Sequence, residues 1–339
     1  MICDGSESKR GIFDLVENIV CIGDLHGDIK QLLCILQHAK LIEKINIDMS
    51  KCFTEKDYSC KKWNWIGGKS ICVQLGDMFD GKSRGSGDPN FQDNEVEIYK
   101  FLVQLKAKAK KHGGDVLLLL GNHELMNINH DFRYVSKNSQ VKCFSFDNSY
   151  DEDNYSFKSS DKICTNDRKK LFDINSILLR SMSKNIYGVI KIGPYLFCHA
   201  GLEYNLGKKY NFDISYMNNL LKCFLRNKIQ NNKQLMNAFN EIYNDSGGIL
   251  WFRGLAREES NYCNSNKRTF KKLNIKKMIV GHTPQDEIST KCDYEGIVVI
   301  DVGLSDAFGK SIDAQYLKIH NGQLYKQKAP ISNMCYTKQ

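Results

Sequence analysis

Short apolar runs alternate with amphipathic segments along the first third of the chain. The runs at 19–22, 71–75 and 116–120 are largely apolar, which is typical of strands covered on both faces. Apolar positions recur with helical spacing over 29–36 and again over 98–105. This alternation predicts a sheet with helices packed on both of its faces.

The second half of the chain is richer in short apolar runs and predicts a second sheet packed on the first, which gives a mixed α/β fold. Strands and intervening helices are expected at 189–192, 195–198, 214–225, 235–243, 277–280 and 297–300. Three polar stretches are interpreted as surface insertions, the middle one partly disordered, at 45–69, 136–167 and 258–272.

The domain organisation follows from where the patterned segments lie. The sequence contains neither an internal repeat nor a recognisable linker, and a chain of 339 residues is long enough to bury a large core. We therefore predict one domain over 18–328, with an N-terminal segment at 1–17 and a C-terminal tail at 329–339.

Composition and charge narrow the class of protein. No stretch reaches the roughly 18 apolar residues of a membrane-spanning helix, and the first residues do not resemble a signal peptide, so a cytoplasmic protein is expected unless a targeting segment has been removed. The 13 cysteines form no Cys-x-x-Cys pair and are interpreted as buried free thiols. The net charge is +9, but the lysines and arginines are scattered along the chain, which argues against nucleic acid as the main partner. A mildly basic surface could still attract phosphorylated substrates.

Glycine and a metal-type ligand follow each of five predicted strands. The turns begin at Gly23, Gly76, Gly121, His199 and Gly281. The carboxyl ends of strands in an open α/β sheet lie along one edge, so we expect these turns to converge. Their candidate metal ligands are Asp24, His26, Asp77, Asn122, His199 and His282.

This ligand set predicts a site for two divalent cations, manganese or iron and zinc. Asp24 and His26 can reach one ion from the same turn, and the last three ligands of the set can hold the other. Asp77 is the natural bridge because a carboxylate has two oxygens. Cations placed in this way could share a hydroxide that attacks phosphorus directly. A single buried histidine is more often a satisfied core residue, so the hypothesis depends on the whole set.

The motifs resemble those of the calcineurin-like metallophosphoesterases, in the phosphoprotein phosphatase branch. They are similar in particular to the Shewanella-like protein phosphatases at 121–127, 251–256, 281–285 and 301–305. The resemblance covers the chain from Gly23 to about residue 306. It implies a two-sheet β-sandwich flanked by helices and a phosphoprotein phosphatase that favours phosphotyrosine slightly over phosphoserine or phosphothreonine.

Three further residues are candidates for catalysis. His123 follows the ligand Asn122 and should stand beside the cations, where a general acid is needed to protonate the leaving oxygen. The family pairing implies that Asp80 orients His123. Arg253 is the candidate for clamping phosphate oxygens, because its guanidinium offers bidentate donors.

One departure from the family pattern affects phosphate binding. Gly81 and Lys82 stand where the family has Arg-Gly, so an arginine is missing from its usual place. Lys82 or Arg84 is expected to substitute, and Asn127 could add a hydrogen bond to phosphate. This departure keeps an inactive scaffold that binds phosphorylated partners open as an alternative, and the shared metal turns keep a dinucleoside polyphosphate hydrolase open as another.

Overall fold

A computed structural model describes residues 7–44, 63–85, 87–88, 91, 93–137, 139, 168–309 and 313–330, and the backbone of 143–144 and 163–164. Most of the predicted insertion at 136–167, the first part of that at 45–69 and nearly all of the tail lie outside this set. Within it, no helix is long and apolar enough to cross a membrane. The division into segment, domain and tail stays a prediction.

The architecture is mixed α/β, as the hydrophobic pattern predicts, and its described strands form two six-stranded sheets and two short two-stranded pairs. In chain order the strands are β1 (Ile12–Phe13), β2 (Asn18–Ile22), β3 (Ile42–Lys44), β4 (Trp63–Trp65), β5 (Ile71–Gln74), β6 (Asp115–Leu119), β7 (Cys143–Phe144), β8 (Ile163–Cys164), β9 (Ile186–Tyr187), β10 (Val189–Ile192), β11 (Tyr195–Cys198), β12 (Lys277–Val280), β13 (Ser289–Lys291), β14 (Ile297–Val299), β15 (Ala314–His320) and β16 (Gln323–Ala329).

Each large sheet combines a parallel centre with antiparallel neighbours. The first has the order β16-β15-β2-β5-β6-β9, in which β2, β5, β6 and β9 are parallel. The second has the order β1-β10-β11-β12-β14-β13, in which β11, β12 and β14 are parallel. The parallel strands of each sheet therefore end at a common edge.

Helices pack against both sheets. Within the described residues they are α1 (Ile29–His38), α2 (Glu95–Lys110), α3 (Asn122–Ile128), α4 (Arg168–Leu171), α5 (Ile177–Asn185), α6 (Tyr204–Lys209), α7 (Ile214–Leu225), α8 (Lys233–Phe239) and α9 (Ser260–Leu273). The start of α1 shows how the sequence sets a boundary, because the Asp28 carboxylate accepts hydrogen bonds from the N–H groups of Lys30 and Gln31, both at 3.1 Å.

The core lies where the apolar strands of the two sheets meet their covering helices. Ile22 and Leu118 of the first sheet and Phe197 and Val280 of the second are fully buried. They belong to one continuous apolar cluster. Burial of these side chains supplies the main driving force for assembling the layers.

The prediction of a surface loop at 258–272 is wrong, because these residues form most of α9. Its sequence is polar almost throughout, but Cys263, Asn266 and Thr269, spaced three apart, are buried on one face. The described end of the expected insertion at 45–69 also differs, because the buried Trp63 and Trp65 lie in β4 and pair with β3.

The cysteines follow the free-thiol interpretation only in part. Cys21, Cys34, Cys72 and Cys198 are free and buried. Cys263, however, is bonded to a cysteine 29 positions further along the chain and so ties α9 to the turn after β13. Two cysteines far apart in sequence leave no local spacing signal, so the pattern does not predict this pair.

Asn218 of α7 satisfies backbone groups at the start of β10, and its removal tests this packing. The Asn218 amide oxygen accepts from the N–H groups of Gly188 and Val189 at 2.7 and 3.2 Å, and its nitrogen donates to the Val189 carbonyl at 2.7 Å. We expect Asn218→Ala to lower the free energy of unfolding by about 2–4 kcal/mol, because buried polar groups lose their partners.

Urea denaturation of the parent and the variant measures this change. Asn237→Ala, at an exposed position of α8, is the matched control and should stay within about 0.5 kcal/mol of the parent. Equal stability of the two variants would contradict the role of Asn218.

Candidate functional site

The predicted turns meet at the strand ends of both sheets. Three of them follow β2, β5 and β6 of the first sheet, and two follow β11 and β12 of the second. The candidate ligands on these turns are all buried: Asp24, His26, Asp77, Asn122, His199 and His282. The site therefore lies across the junction of the two sheets.

Asp77 lies at the centre of this cluster. Its Oδ2 is 3.8 Å from His26 Nε2, 4.0 Å from His123 Nε2 and 3.4 Å from His199 Nε2. Among the described residues, two groups with a suitable ligand spacing share this aspartate, one with His26 and His123 and the other with His199 and His282. Asp77 is therefore common to both candidate groups, and its role as a bridging ligand stays a prediction.

The remaining candidate ligands adjoin these groups. The Asp24 carboxylate accepts a hydrogen bond from the His282 backbone N–H at 3.0 Å. Asn122 Oδ1 lies 2.9 Å from His199 Nε2. The sequence places His26 beside Asp24 at one ion, whereas the structure puts His26 in a group with His123. His123 is thus a candidate ligand as well as a candidate acid.

The charges of the site suit divalent cations. Burial lowers the pKa of His26 to about 3 and that of His282 to about 2, so both imidazoles are neutral and able to ligate. Burial and the nearby Asp301 carboxylate raise the pKa of Asp24 well above its usual value. A bound cation would offset this concentration of buried carboxylates, and neutral imidazoles with carboxylates are a donor set that manganese, iron and zinc accept.

Glu124 of α3 holds the Asp77 turn in place. Its buried carboxylate accepts hydrogen bonds from the backbone N–H groups of Asp77 at 2.8 Å, Met78 at 2.7 Å and Gly121 at 2.7 Å. Asp77 has a φ of 52°, a left-handed conformation that is uncommon for residues other than glycine, although aspartate adopts it more readily than most. Glu124 is not among the residues predicted from the sequence, although its position just after Asn122 and His123 is a usable signal.

Close approach of the turns depends on glycine. A Cβ on Gly76 would lie 2.5 Å from the backbone nitrogen of Gly121, and Gly76 has a φ of 93°. A larger residue at this position would push the end of β5 away from the end of β6. Asp77 and Asn122, which follow these glycines, are thereby brought together.

His123 and Asp80 form a buried pair. The Nδ1 atom of His123 is 2.8 Å from Asp80 Oδ2. Burial opposes the charged form of His123, but the carboxylates of Asp77 and Asp80 outweigh it and raise the pKa of this imidazole. Because Nδ1 faces Asp80, Nε2 is the nitrogen that faces the candidate cation group.

Two arginines lie at opposite sides of the site. Arg253 is half-buried and its Nη1 donates to the His282 carbonyl at 2.6 Å and to Thr283 Oγ1 at 3.2 Å. On the other side, Arg84 Nη2 lies 3.4 Å from His123 Nε2. Arg84 Nε has no hydrogen-bond partner among the described residues.

The other two predicted phosphate ligands, Lys82 and Asn127, donate to groups of the protein itself. Lys82 is exposed, and its Nζ donates to the Arg133 carbonyl at 3.0 Å. Asn127 is fully buried, and its Nδ2 donates to Asp80 Oδ1 and to the His123 carbonyl, both at 2.8 Å. Both amide hydrogens of Asn127 are therefore engaged, which corrects its predicted contact with phosphate, since phosphate needs a donor.

Asp301 and Arg168 are site residues that the sequence analysis does not assign. Asp301 follows β14 and lies near Asp24 and Asp77, where burial raises its pKa to about 6. It follows an apolar strand, the same signal that marks the other turns. Arg168 contacts Asn127 and the Asp80 carboxylate, but it follows a polar stretch with no pattern that points to the site.

The sequence pattern of one protein family, described as calcineurin-like phosphoesterase, matches residues 17–286. Two similar proteins are named as Shewanella-like protein phosphatases. Shewanella-like protein phosphatase 1 from Plasmodium berghei (strain Anka) is 29% identical over 294 residues, which cover 85% of this chain and 67% of the relative. Shewanella-like protein phosphatase 2 from Arabidopsis thaliana is 27% identical over 322 residues, covering 86% and 73%. These matches confirm the resemblance that the motifs indicate.

The fold also resembles solved structures. The cold-active protein-tyrosine phosphatase of a psychrophilic Shewanella species superposes with a TM-score of 0.63 at 21% identity, covering 95% of this chain and 80% of that one. A second structure, of a cold-active protein tyrosine phosphatase at 1.1 Å, gives a TM-score of 0.66 at 21% identity, covering 95% and 79%. At this identity the likeness concerns the fold alone, and it confirms the predicted two-sheet fold flanked by helices.

Metal analysis tests the candidate cation groups. We expect His282→Ala to lower bound manganese from about two ions per chain to about one, because one of the groups that share Asp77 loses a ligand. Elemental analysis after dialysis against a defined free manganese concentration measures this. His112→Ala, which removes an exposed histidine, is the control and should bind as the parent does. Unchanged stoichiometry in His282→Ala would contradict the ligand assignment.

Proposed function

The chain belongs to the calcineurin-like phosphoesterase family, and on this premise we propose that it is a two-metal phosphatase that hydrolyses phosphate monoesters of phosphorylated proteins. The observation that carries the proposal is the Asp77 carboxylate, which two candidate cation groups share, with the His123–Asp80 pair beside it. The names of the similar Shewanella-like protein phosphatases support phosphoproteins as the substrate class.

In this proposal the six ligands predicted from the strand ends hold the cations, manganese or iron and zinc. Bound there, the cations would polarise phosphoryl oxygens and activate a water for direct attack on phosphorus. The protein sets the distance between the two candidate cation groups, because both contain the Asp77 carboxylate. Glu124 holds the turn that carries Asp77 in its conformation.

His123 would protonate the leaving oxygen. As the P–O bond breaks, its electron pair stays on the leaving oxygen, and the Nε2 proton of His123 neutralises it. The contact between His123 Nδ1 and Asp80 stabilises the protonated imidazole and fixes the ring so that Nε2 faces the site. After the reaction His123 recovers a proton from water.

Arg84 and Arg253 would clamp the phosphoryl group from opposite sides. Arg84 takes the part of the arginine that is missing after Asp80, since its guanidinium reaches His123 whereas Lys82 is turned to the surface. The Arg84 guanidinium packs 4.5 Å from the Tyr134 ring centroid and 5.1 Å from that of Phe308. These rings hold it near the site without using its hydrogens.

The same aromatic rings support phosphotyrosine as the favoured substrate. The half-buried Tyr134 ring centroid lies 5.1 Å from that of His123, and the half-buried Phe308 centroid lies 4.9 Å from that of His26. A phenyl ring that enters beside them gains edge and face contacts that a serine side chain cannot make.

Turnover with added manganese tests the proposed function. The parent should hydrolyse p-nitrophenyl phosphate and a phosphotyrosine peptide, with less activity on a phosphoserine peptide and on diadenosine tetraphosphate. His123→Asn should lower kcat about a hundredfold or more, the scale of general acid catalysis. Its manganese content should equal the parent's if His123 acts as the acid, whereas a loss of one ion would make His123 a ligand.

An Asp77→Asn variant supplies the background rate for these assays. Parent turnover no higher than this background on every phosphate monoester would refute the phosphatase proposal and favour a phosphate-binding scaffold. Faster turnover of diadenosine tetraphosphate than of the peptides would favour a dinucleoside polyphosphate hydrolase instead.

Arg84 and Lys82 form a matched pair for testing the phosphate clamp. We expect Arg84→Ala to lower kcat/KM for the phosphotyrosine peptide by about tenfold to a hundredfold, because a charge-assisted hydrogen bond contributes roughly 1.5–3 kcal/mol. Lys82→Ala should change it by less than about twofold, since Lys82 bonds a surface carbonyl. Steady-state kinetics would contradict the assignment if the Lys82 variant lost more activity than the Arg84 variant.

A further inference from the structure

We propose that Arg168 is a positioning residue that holds Asp80, and through it His123, in the orientation needed for proton transfer. The inference rests on the proposed phosphatase function, in which His123 is the acid. Arg168 opens α4 and reaches the pair from a segment 41 residues beyond Asn127. Its guanidinium is largely buried, with 12% of the side chain exposed.

The Arg168 guanidinium fixes the orientation of the Asn127 side-chain amide. Arg168 Nε donates to Asn127 Oδ1 at 2.7 Å. Since that oxygen is turned to the arginine, the NH2 group of Asn127 must face the opposite way, where it donates to Asp80 Oδ1 at 2.8 Å. A reversed amide would set two acceptor oxygens against each other. Arg168 thereby specifies which way the Asn127 side chain points.

The oriented amide completes the hydrogen bonding of the Asp80 carboxylate. Oδ1 of Asp80 faces Asn127, and Oδ2 faces His123 Nδ1. With a partner on each oxygen the carboxylate plane is fixed, and so is the direction in which it holds the imidazole. Arg168 Nη2 lies 3.5 Å from the same Oδ1 and adds charge attraction.

Arg168 also supports the Asp80 backbone, through Glu95. Its Nη1 donates to Glu95 Oε1, and Glu95 Oε2 accepts from the Asp80 N–H at 2.9 Å. Asp80 has a φ of 69°, so its backbone needs such contacts to stay in this conformation. One guanidinium therefore holds both the side chain and the main chain of Asp80.

Charge balance gives Arg168 a second reason to be in this place. The carboxylates of Asp80, Asp93 and Glu95 are almost completely buried and close together. A buried cation compensates them, and a neutral residue would leave them repelling one another. Lysine keeps the charge but cannot direct separate N–H groups to both Asn127 and Glu95. The Arg168→Lys variant therefore keeps the buried positive charge but loses the directed hydrogen bonds, so it distinguishes the two contributions.

Leaving-group dependence distinguishes this role from a general structural one. Phenyl phosphate needs a proton on its departing oxygen, whereas 2,4-dinitrophenyl phosphate leaves readily without one. With the manganese-loaded enzyme, we expect Arg168→Ala and Arg168→Lys to lower kcat for phenyl phosphate at least about tenfold more than for 2,4-dinitrophenyl phosphate, with manganese content unchanged. Arg180→Ala, at an exposed position of α5, should leave both rates within about twofold of the parent.

A second readout does not depend on turnover. In the enzyme loaded with diamagnetic zinc, the His123 Nδ1 proton that bonds Asp80 should give a downfield proton NMR signal, identified by its absence in His123→Asn. We expect Arg168→Lys, which retains the buried charge, to shift or broaden this signal while melting within a few degrees of the parent. An unchanged signal, or an equal loss of rate on both aryl phosphates, overturns the role of Arg168 even if the parent is an active phosphatase. An inactive parent refutes the proposed function itself and this inference with it.

Discussion

The carboxylate of Glu124 is the acceptor on which the site depends. It is buried, and it takes hydrogen bonds from successive backbone N–H groups of the turn that carries Asp77. Those groups would otherwise be buried without partners, at a cost of about 1–3 kcal/mol each. Because Asp77 is the aspartate that both candidate cation groups share, the geometry of both groups depends on the shape of this one turn.

The sequence predicts the parts of the site that obey a local rule. Asp24, Asp77 and Asn122 each come after a glycine at the end of an apolar run, and strand ends in parallel sheets share an edge. Both the apolar run and the ligand can be read within six residues. The central strands and α7 are predictable for the same reason, because their hydrophobic periods are strong.

Some features depend on contacts between residues far apart in sequence, or on a few buried positions in an otherwise polar segment. Such features leave no local signal. Arg168 reaches the site from a polar segment, and only the folded chain shows that Asn127 and Asp80 are its partners. The buried face of the polar helix α9 consists of only a few residues, such as Asn266, and they are not strongly apolar. The hairpin of β15 and β16 completes the first sheet, but β16 is half-exposed and alternates weakly, so the pattern does not predict it.

A site that spans two layers links cation binding to their assembly. Of the two candidate groups, the one of Asp77, His199 and His282 draws on turns of both sheets, whereas His26, Asp77 and His123 all follow strands of the first sheet. A cation bound at the candidate group that draws on both sheets would hold the two layers together. By mass action it would stabilise that stacked state by roughly 2.7 kcal/mol at a free concentration one hundred times its dissociation constant. Removal of such cations would therefore first weaken the packing between the two sheets.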